Sequence, residues 1–218
     1  MDNKRTLAIF DFCDTLIGMQ TANRFVTLGY QSNKRFDTVT NEFIRLIGRK
    51  SRLLFGNRHK KWQLRQLKGL SREKLNIIAN EYVKKELLPK ENKLLVEKML
   101  WHKKQGHDIA IVSGGFSEYI KEYAKIYDID YVIATDLEFI DGKATGKIDG
   151  IDCMGINKIE KIRFIIDLNK YDLLNSFAYS DHISDIPLLS FVGNGVVVDF
   201  GQDIKWAKLM NYEVVNVK

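Results

Sequence analysis

The chain has 218 residues, 45% of them hydrophobic and 28% charged, with 34 Lys and Arg against 28 Asp and Glu and a formal net charge of +6. That is enough apolar material for a real core and more chain than one small module needs, so one main domain carrying an inserted second is expected. The two cysteines, Cys13 and Cys153, give neither a disulfide framework nor zinc spacing, and no apolar run is long enough for a membrane span or a signal-peptide core, which points to a cytoplasmic location.

Leu7-Ala8-Ile9-Phe10 reads as a short buried strand that runs into Asp11-Phe12-Cys13-Asp14-Thr15-Leu16. A carboxylate at a strand's carboxyl end is either part of a solvated loop or a nucleophile or metal ligand, because open α/β sheets place their chemistry there. From Ala22 to about Leu88 the apolar spacing is helical: Phe25, Val26 and Leu28; Phe36, Val39, Phe43, Ile44 and Ile47; Leu64, Leu67 and Leu70; Leu75, Ile78, Ala79, Tyr82 and Val83. Gly48, Gly56 and Gly69 mark ends or turns, and Ser71 with Lys74 three residues on lacks a full capping box. After Pro89 a helix with Leu94, Leu95, Met99 and Leu100 leads back to the core, and His102 and His107 at its end read as surface residues.

Asp108-Ile109-Ala110-Ile111-Val112-Ser113-Gly114-Gly115 is a second strand, ending in a hydroxyl and two glycines before a helical stretch from Ser117 to Tyr127. Glycine-exposed amides at a helix start form an anion cradle, although such a segment alone is more often an ordinary tight turn. Asp141-Gly142 between two apolar runs signals a hairpin at a sheet edge. Lys158 opens a helical pattern running to about Leu168; alone it reads as a surface charge. Phe177-Ala178-Tyr179-Ser180 then leads into Asp181 and Asp185, a carboxylate pair suited to a hard divalent ion with oxygen ligands. The alternation of strands and helices argues for a parallel α/β sheet with right-handed crossovers.

In order and spacing, the acid after the first strand, the hydroxyl with glycines, the lysine and the late carboxylate pair resemble the four motifs of the haloacid dehalogenase-like phosphohydrolases, in their phosphoserine phosphatase-like form. The resemblance implies a Rossmann-like three-layer α/β/α core with a parallel sheet, over residues 1–18 and 90–218, and an inserted all-helical cap over 19–89. It implies that Asp11 is the nucleophile that takes the phosphoryl group and that Thr15 hydrogen-bonds around it. Ser113 with the Gly114 amide matches the phosphate site, and Lys158 matches the lysine that neutralises the nucleophile and the transferring oxygens. Asp181 matches the direct Mg²⁺ ligand, with Asp185 completing the site directly or through water. Asp11 and the backbone carbonyl of Cys13 supply the other ligands.

One position departs from the pattern. The family's usual general acid/base aspartate lies two residues after the nucleophile, where this chain has Cys13, and Asp14 stands where a glycine is common. The second carboxylate of such a motif protonates the departing alkoxide and later deprotonates the hydrolytic water. A thiol with a reference pKa of roughly 8.5 does that poorly. Asp14 is the remaining candidate acid, set against a turn or capping role for the same residue.

Between Phe43 and Arg72 there are ten basic residues (Arg45, Arg49, Lys50, Arg52, Arg58, Lys60, Lys61, Arg65, Lys68 and Arg72) and no acidic one, so the rest of the chain sums to −4. A charge run is usually a solvated face. Nucleic-acid binding by this patch, with Phe55, His59 and Trp62 interleaved, is disfavoured because no recognised nucleic-acid motif accompanies it. A third reading has arginines closing over an anionic substrate, with Arg24 facing the mouth of the site from the cap's first helix. His182 lies within the fourth motif and reads first as an orienting residue.

The expected activity is Mg²⁺-dependent hydrolysis of a small-molecule phosphate monoester through an aspartyl phosphate. Relatives of this kind act on phosphoserine, sugar phosphates and phosphorylated precursors of surface polysaccharides, so a phosphorylated amino-alcohol, amino acid or sugar precursor is the expected substrate type. A phosphotransferase of the same superfamily, or a silent phosphate-binding protein that lost its acid at Cys13, are the alternatives. The sequence gives no oligomeric state.

Overall fold

A computed structural model describes residues 4–32 and 63–217. The helical positions expected from Phe36 to Ile47, Gly48, Phe55, Gly56, His59, Trp62 and the basic residues from Arg45 to Lys61 lie outside the described residues. Among the described residues seven strands, β1 (Leu7–Phe10), β2 (Asp108–Phe116), β3 (Tyr131–Ile140), β4 (Lys143–Asp149), β5 (Phe177–Ser180), β6 (Asn194–Asp199) and β7 (Glu213–Asn216), form one sheet in the order β4-β3-β2-β1-β5-β6-β7. Every neighbouring pair is parallel except β3 and β4.

The four residues of β1 are apolar and fully buried, as a central parallel strand covered on both faces requires. Successive side chains point to opposite faces. Ala8 and Phe10 accordingly join one apolar cluster, while Leu7 and Ile9 join another with Ile159, Ile162 and Leu188. This is the three-layer α/β/α arrangement that the family resemblance implies, built on the parallel sheet expected from the alternating pattern. Among the described residues no helix is long and apolar enough to cross a membrane.

Asp141 (φ 50°) and Gly142 (φ 71°) both take left-handed backbone, the requirement of a two-residue type I′ turn, and they join β3 to the antiparallel edge strand β4. The returning end of the inserted segment covers that edge. The Gly69 and Arg72 N–H groups donate to Ala144 and Gly142 carbonyls at 2.8 and 2.9 Å, and the Ala144 N–H donates to Leu70 at 2.8 Å.

Helices α1 (Ala22–Ser32) and α2 (Arg72–Tyr82) belong to the inserted segment; α2 is capped by Ser71, whose hydroxyl accepts from the Lys74 N–H, and it runs on into a wider turn over Val83–Leu87. Helix α3 (Lys93–Lys104) is capped by Asn92 and α4 (Ser117–Tyr127) follows β2 directly. Helix α5 (Asn157–Ile165) stops short of Leu168 because Ile166 is extended. Among the described residues the remaining α-helices are the short α6 (Ile186–Leu189) and α7 (Lys205–Leu209).

His102 corrects its surface reading. It is fully buried on α3, packed against Phe10 and Phe177, with ring nitrogens 2.8 Å from His107 Nδ1 and 2.9 Å from the Tyr179 hydroxyl. Burial, with His107 and Lys98 adding repulsion, pushes it down to about 4, so it packs as a neutral ring.

The inserted helices share one apolar cluster with the sheet. The Phe25 ring of α1 lies 6.1 Å from Tyr82, 6.2 Å from Phe116 and 5.1 Å from Tyr119. Phe25→Ala should therefore cost about 3–5 kcal/mol, and urea unfolding should remain a single transition at a lower midpoint. A variant that loses only a minor early phase would show that the insert folds apart from the core.

Candidate functional site

Because β1 lies between β2 and β5 and all three run parallel, their carboxyl ends meet at one edge of the sheet. Asp11 follows β1 and hangs from the sheet by its N–H, which donates to Tyr179 O at 2.9 Å. Ser113 and Gly114 lie near the end of β2, and Asp181 follows β5. Lys158, in the first turn of α5, is buried beneath this edge. Its Nζ donates to Asp11 Oδ1 at 2.7 Å and to Asp185 Oδ2 at 2.6 Å. Ser180 Oγ donates to the same Asp185 oxygen at 2.6 Å, and Thr15 Oγ1 donates to Asp181 Oδ1 at 3.1 Å. The surface-charge reading of Lys158 taken alone is thus replaced by a buried bridge between two carboxylates.

These groups open onto a cavity of about 460 Å³ lined by Asp11, Cys13, Ser113, Gly114, Lys158, Asp181, His182 and Asp185, with Gln20, Asn23, Gln63 and Met154 among the rest of its wall. The glycines lie within the last residues of β2, before a helix that starts at Ser117, where a turn was expected. They are needed for close approach: a Cβ on Gly114 would sit 2.7 Å from Met154 Cγ, and one on Gly115 would collide with the Tyr119 hydroxyl. Gly115 N–H donates to Ser113 Oγ at 3.1 Å, and Thr135 Oγ1 ties Gly114 O to Asp152 at 3.2 and 2.9 Å.

Among the described residues three buried carboxylates, Asp11, Asp181 and Asp185, share the cavity with one buried cation, Lys158. Burial pushes Asp11 upward; Lys158 opposes this, and Asp185 and Asp181 reinforce it. Asp181 is likewise pushed up to about 6 by burial, against the Thr15 hydrogen bond. For Lys158 burial works against the charge, yet Asp11 and Asp185 outweigh it and hold the ammonium well above its ordinary range. The Cys13 thiol is pushed up to about 11 by burial and the nearby Asp11, and it lies 3.0 Å from Thr21 Oγ1.

Three predicted residues do not line the cavity: Thr15 is fully buried with its hydroxyl turned to Asp181, and Arg24 and Asp14 are held elsewhere. Arg24 is held by Glu86, with Nε and Nη2 at 2.7 and 2.6 Å from the two carboxylate oxygens, and does not line the wall. Asp14 takes left-handed backbone (φ 54°), accepts from the Gln20 side-chain amide and lines a separate hollow with Lys90 and Glu91. Sequence reasoning missed the neutral wall residues Gln20, Asn23 and Gln63. Gln20 and Asn23 directly follow the first motif, which was a usable signal; Gln63 had none.

Oxygen donors dominate the site. Among the described residues no three His, Cys, Asp or Glu side chains gather into a complete ligand shell. Mg²⁺ does not require one, since it is commonly held by one or two carboxylates with waters and phosphate oxygens. The surplus of buried carboxylate over Lys158 fits such an ion.

A protein-family model described as haloacid dehalogenase-like hydrolase matches residues 8–190, from β1 through Asp185 to α6. The chain belongs to this family. Within it, a probable phosphatase of Mycobacterium tuberculosis is 30% identical over 138 residues, 63% of this chain and 45% of that protein. The chain thus spans less than half the length of that relative. A phosphoserine phosphatase of Methanocaldococcus jannaschii is 27% identical over 193 residues, 88% of this chain and 85% of its own. The crystal structure of a Bordetella pertussis protein of unknown function superposes with a TM-score of 0.80 at 21% identity, covering 99% of this chain and 100% of the other, which shows a shared fold.

Within the haloacid dehalogenase-like frame, the buried bridge makes a direct prediction. Lys158→Met leaves Asp11 and Asp185 buried without their cation and should cost about 3–5 kcal/mol near neutral pH. Carboxylates that lose a cation titrate higher in the folded state, so the variant relieves itself by taking up protons, and the deficit should shrink as pH falls towards about 4. Denaturant unfolding across a pH series measures it. A deficit that is absent, or that grows in acid, would contradict the buried bridge.

Proposed function

We propose that the chain is a Mg²⁺-dependent cytoplasmic phosphatase that hydrolyses the phosphate monoester of a small metabolite through an aspartyl phosphate on Asp11. The observation that carries this reading is the buried Asp11–Lys158–Asp185 bridge, which holds a carboxylate at the tip of the central strand, in the same cavity as Ser113 and Gly114. The phosphoserine phosphatase among its relatives supports the same reaction class.

In this reading the Asp11 carboxylate attacks phosphorus in line with the leaving oxygen. Lys158 offsets the charge that builds on Asp11 and on the transferring oxygens, and the Ser113 hydroxyl with the Gly114 amide hydrogen-bonds the phosphoryl group. Water then attacks the acyl phosphate and regenerates Asp11. Asp11, Asp181 and the Cys13 carbonyl would hold the ion, with Asp185 reached directly or through water. When bound, Mg²⁺ supplies Lewis-acid neutralisation of phosphoryl oxygen. Thr15 fixes the orientation of Asp181, and Ser180 that of Asp185.

Asp11→Asn keeps the size of the side chain but removes the attacking oxygen anion. Phosphate release across a panel of phosphorylated metabolites with Mg²⁺ should fall by about 10³-fold or more, with circular dichroism unchanged. Retention of substantial turnover would rule out covalent catalysis at Asp11, and release that depends on an added acceptor would favour a phosphotransferase. Asp181→Asn should instead raise the Mg²⁺ concentration for half-maximal rate by about tenfold or more; an unchanged Mg²⁺ dependence would remove Asp181 from the metal site.

A further inference from the structure

An aliphatic alkoxide needs a proton to leave phosphorus, whereas a phenol, an enol or a carboxylic acid can leave as its anion. Among the described residues, the acid-bearing groups of the cavity and of the first motif can be taken in turn. Asp11 is the proposed nucleophile, and the Lys158 ammonium lies between Asp11 and Asp185. Asp181 accepts from Thr15 and Asp185 accepts from Ser180. Cys13 lines the cavity at the position where the family resemblance implies an acid/base carboxyl, and its thiol is engaged by Thr21, whose hydroxyl lies 2.6 Å from the buried Tyr119 hydroxyl. His182 turns its Nδ1 back on Ser184, accepting the backbone N–H at 3.1 Å and pairing with the hydroxyl at 2.8 Å. Asp14, the one further carboxylate of the motif, faces a different hollow. The facing wall, with Gln20, Asn23, Val26 and Phe116, offers neutral amides and apolar surface.

Resting on the phosphatase reading above, we infer that the substrates are phosphates whose leaving group departs without a proton: aryl, enol or acyl phosphates in preference to alkyl phosphates. In the first step a lone pair of an Asp11 carboxylate oxygen forms the new O–P bond. The bond from phosphorus to the leaving oxygen breaks, and its electron pair departs on that oxygen as phenolate, enolate or carboxylate. In the second step water adds to phosphorus, the bond to Asp11 breaks with its pair returning to the carboxylate, and the water's proton passes to a phosphate oxygen. Neither step draws on an acid of the protein, because Asp11 also leaves as a carboxylate.

Phenyl phosphate and benzyl phosphate test this, since they share a ring and differ by one methylene. Phenol has an acidity close to tyrosine's pKa of about 10, while benzyl alcohol is an alkyl alcohol. With the wild-type chain and saturating Mg²⁺, kcat/KM should favour phenyl phosphate by ~10²–10⁴-fold, the usual worth of a general acid. Cys13→Asp, which supplies a carboxyl at that position, should narrow the ratio by raising the benzyl rate. Equal kcat/KM for the two esters in the wild type would overturn the inference alone. So would benzyl turnover that collapses in Asp14→Asn or His182→Gln, since one of those groups would then be the acid. Turnover of neither ester would overturn the phosphatase reading, and this inference with it.

Discussion

The site depends on a single buried ammonium. Among the described residues Lys158 carries the one positive charge paired with Asp11 and Asp185, and both carboxylates are almost wholly removed from solvent. Stripping water from these charges is costly, and the bridge recovers that cost only with good geometry and further hydrogen bonds. The fold supplies both. Asp11 is fixed by a backbone bond to β5, Asp185 takes a second bond from Ser180, and α5 brings Lys158 in from the opposite side of the sequence. The bridge leaves the cluster acid-rich, which is the electrostatic setting in which a divalent cation and a phosphoryl group are mutually stabilising.

The same arrangement explains how residues so far apart in the chain form one site. The parallel order β2-β1-β5 puts three strand ends side by side, and two apolar clusters clamp that strip from either face. The inserted helices enlarge one of these clusters through Phe25 and Tyr82, so the wall of the cavity and the core of the sheet are parts of one packing problem. Gly114 and Gly115 belong to this constraint. Gly115 has no room for a side chain because the buried Tyr119 hydroxyl occupies it, and at Gly114 the neighbouring Met154 side chain would have to shift.

Much of the fold was legible locally. The apolar run of β1, the Asp141-Gly142 turn and the helix from Ser117 to Tyr127 follow from short-range patterning and turn chemistry, and the acid-bearing ends of β1 and β5 come together at one edge of the sheet. What was not legible depends on partners distant in sequence. Arg24 looked like a free cation at the mouth of a site, but Glu86 reaches it from the far end of the insert. His102 looked like a surface residue at a helix end, but Tyr179, Phe177 and His107 close around it. Lys158 by itself was an ordinary surface charge; only its company with the other three motifs marked it. The Cys13–Thr21–Tyr119 chain had no local signal beyond the missing carboxyl.

Trapping the phosphorylated enzyme would test the central role of Asp11 most directly. The protein would be mixed with phenyl phosphate and Mg²⁺, quenched in acid within a turnover, digested and mapped by mass spectrometry. One phosphoryl group is expected on the peptide carrying Asp11, labile to hydroxylamine as an acyl phosphate is, and absent from Asp11→Asn. Steady release of phosphate with no label on Asp11 at any quench time would contradict it.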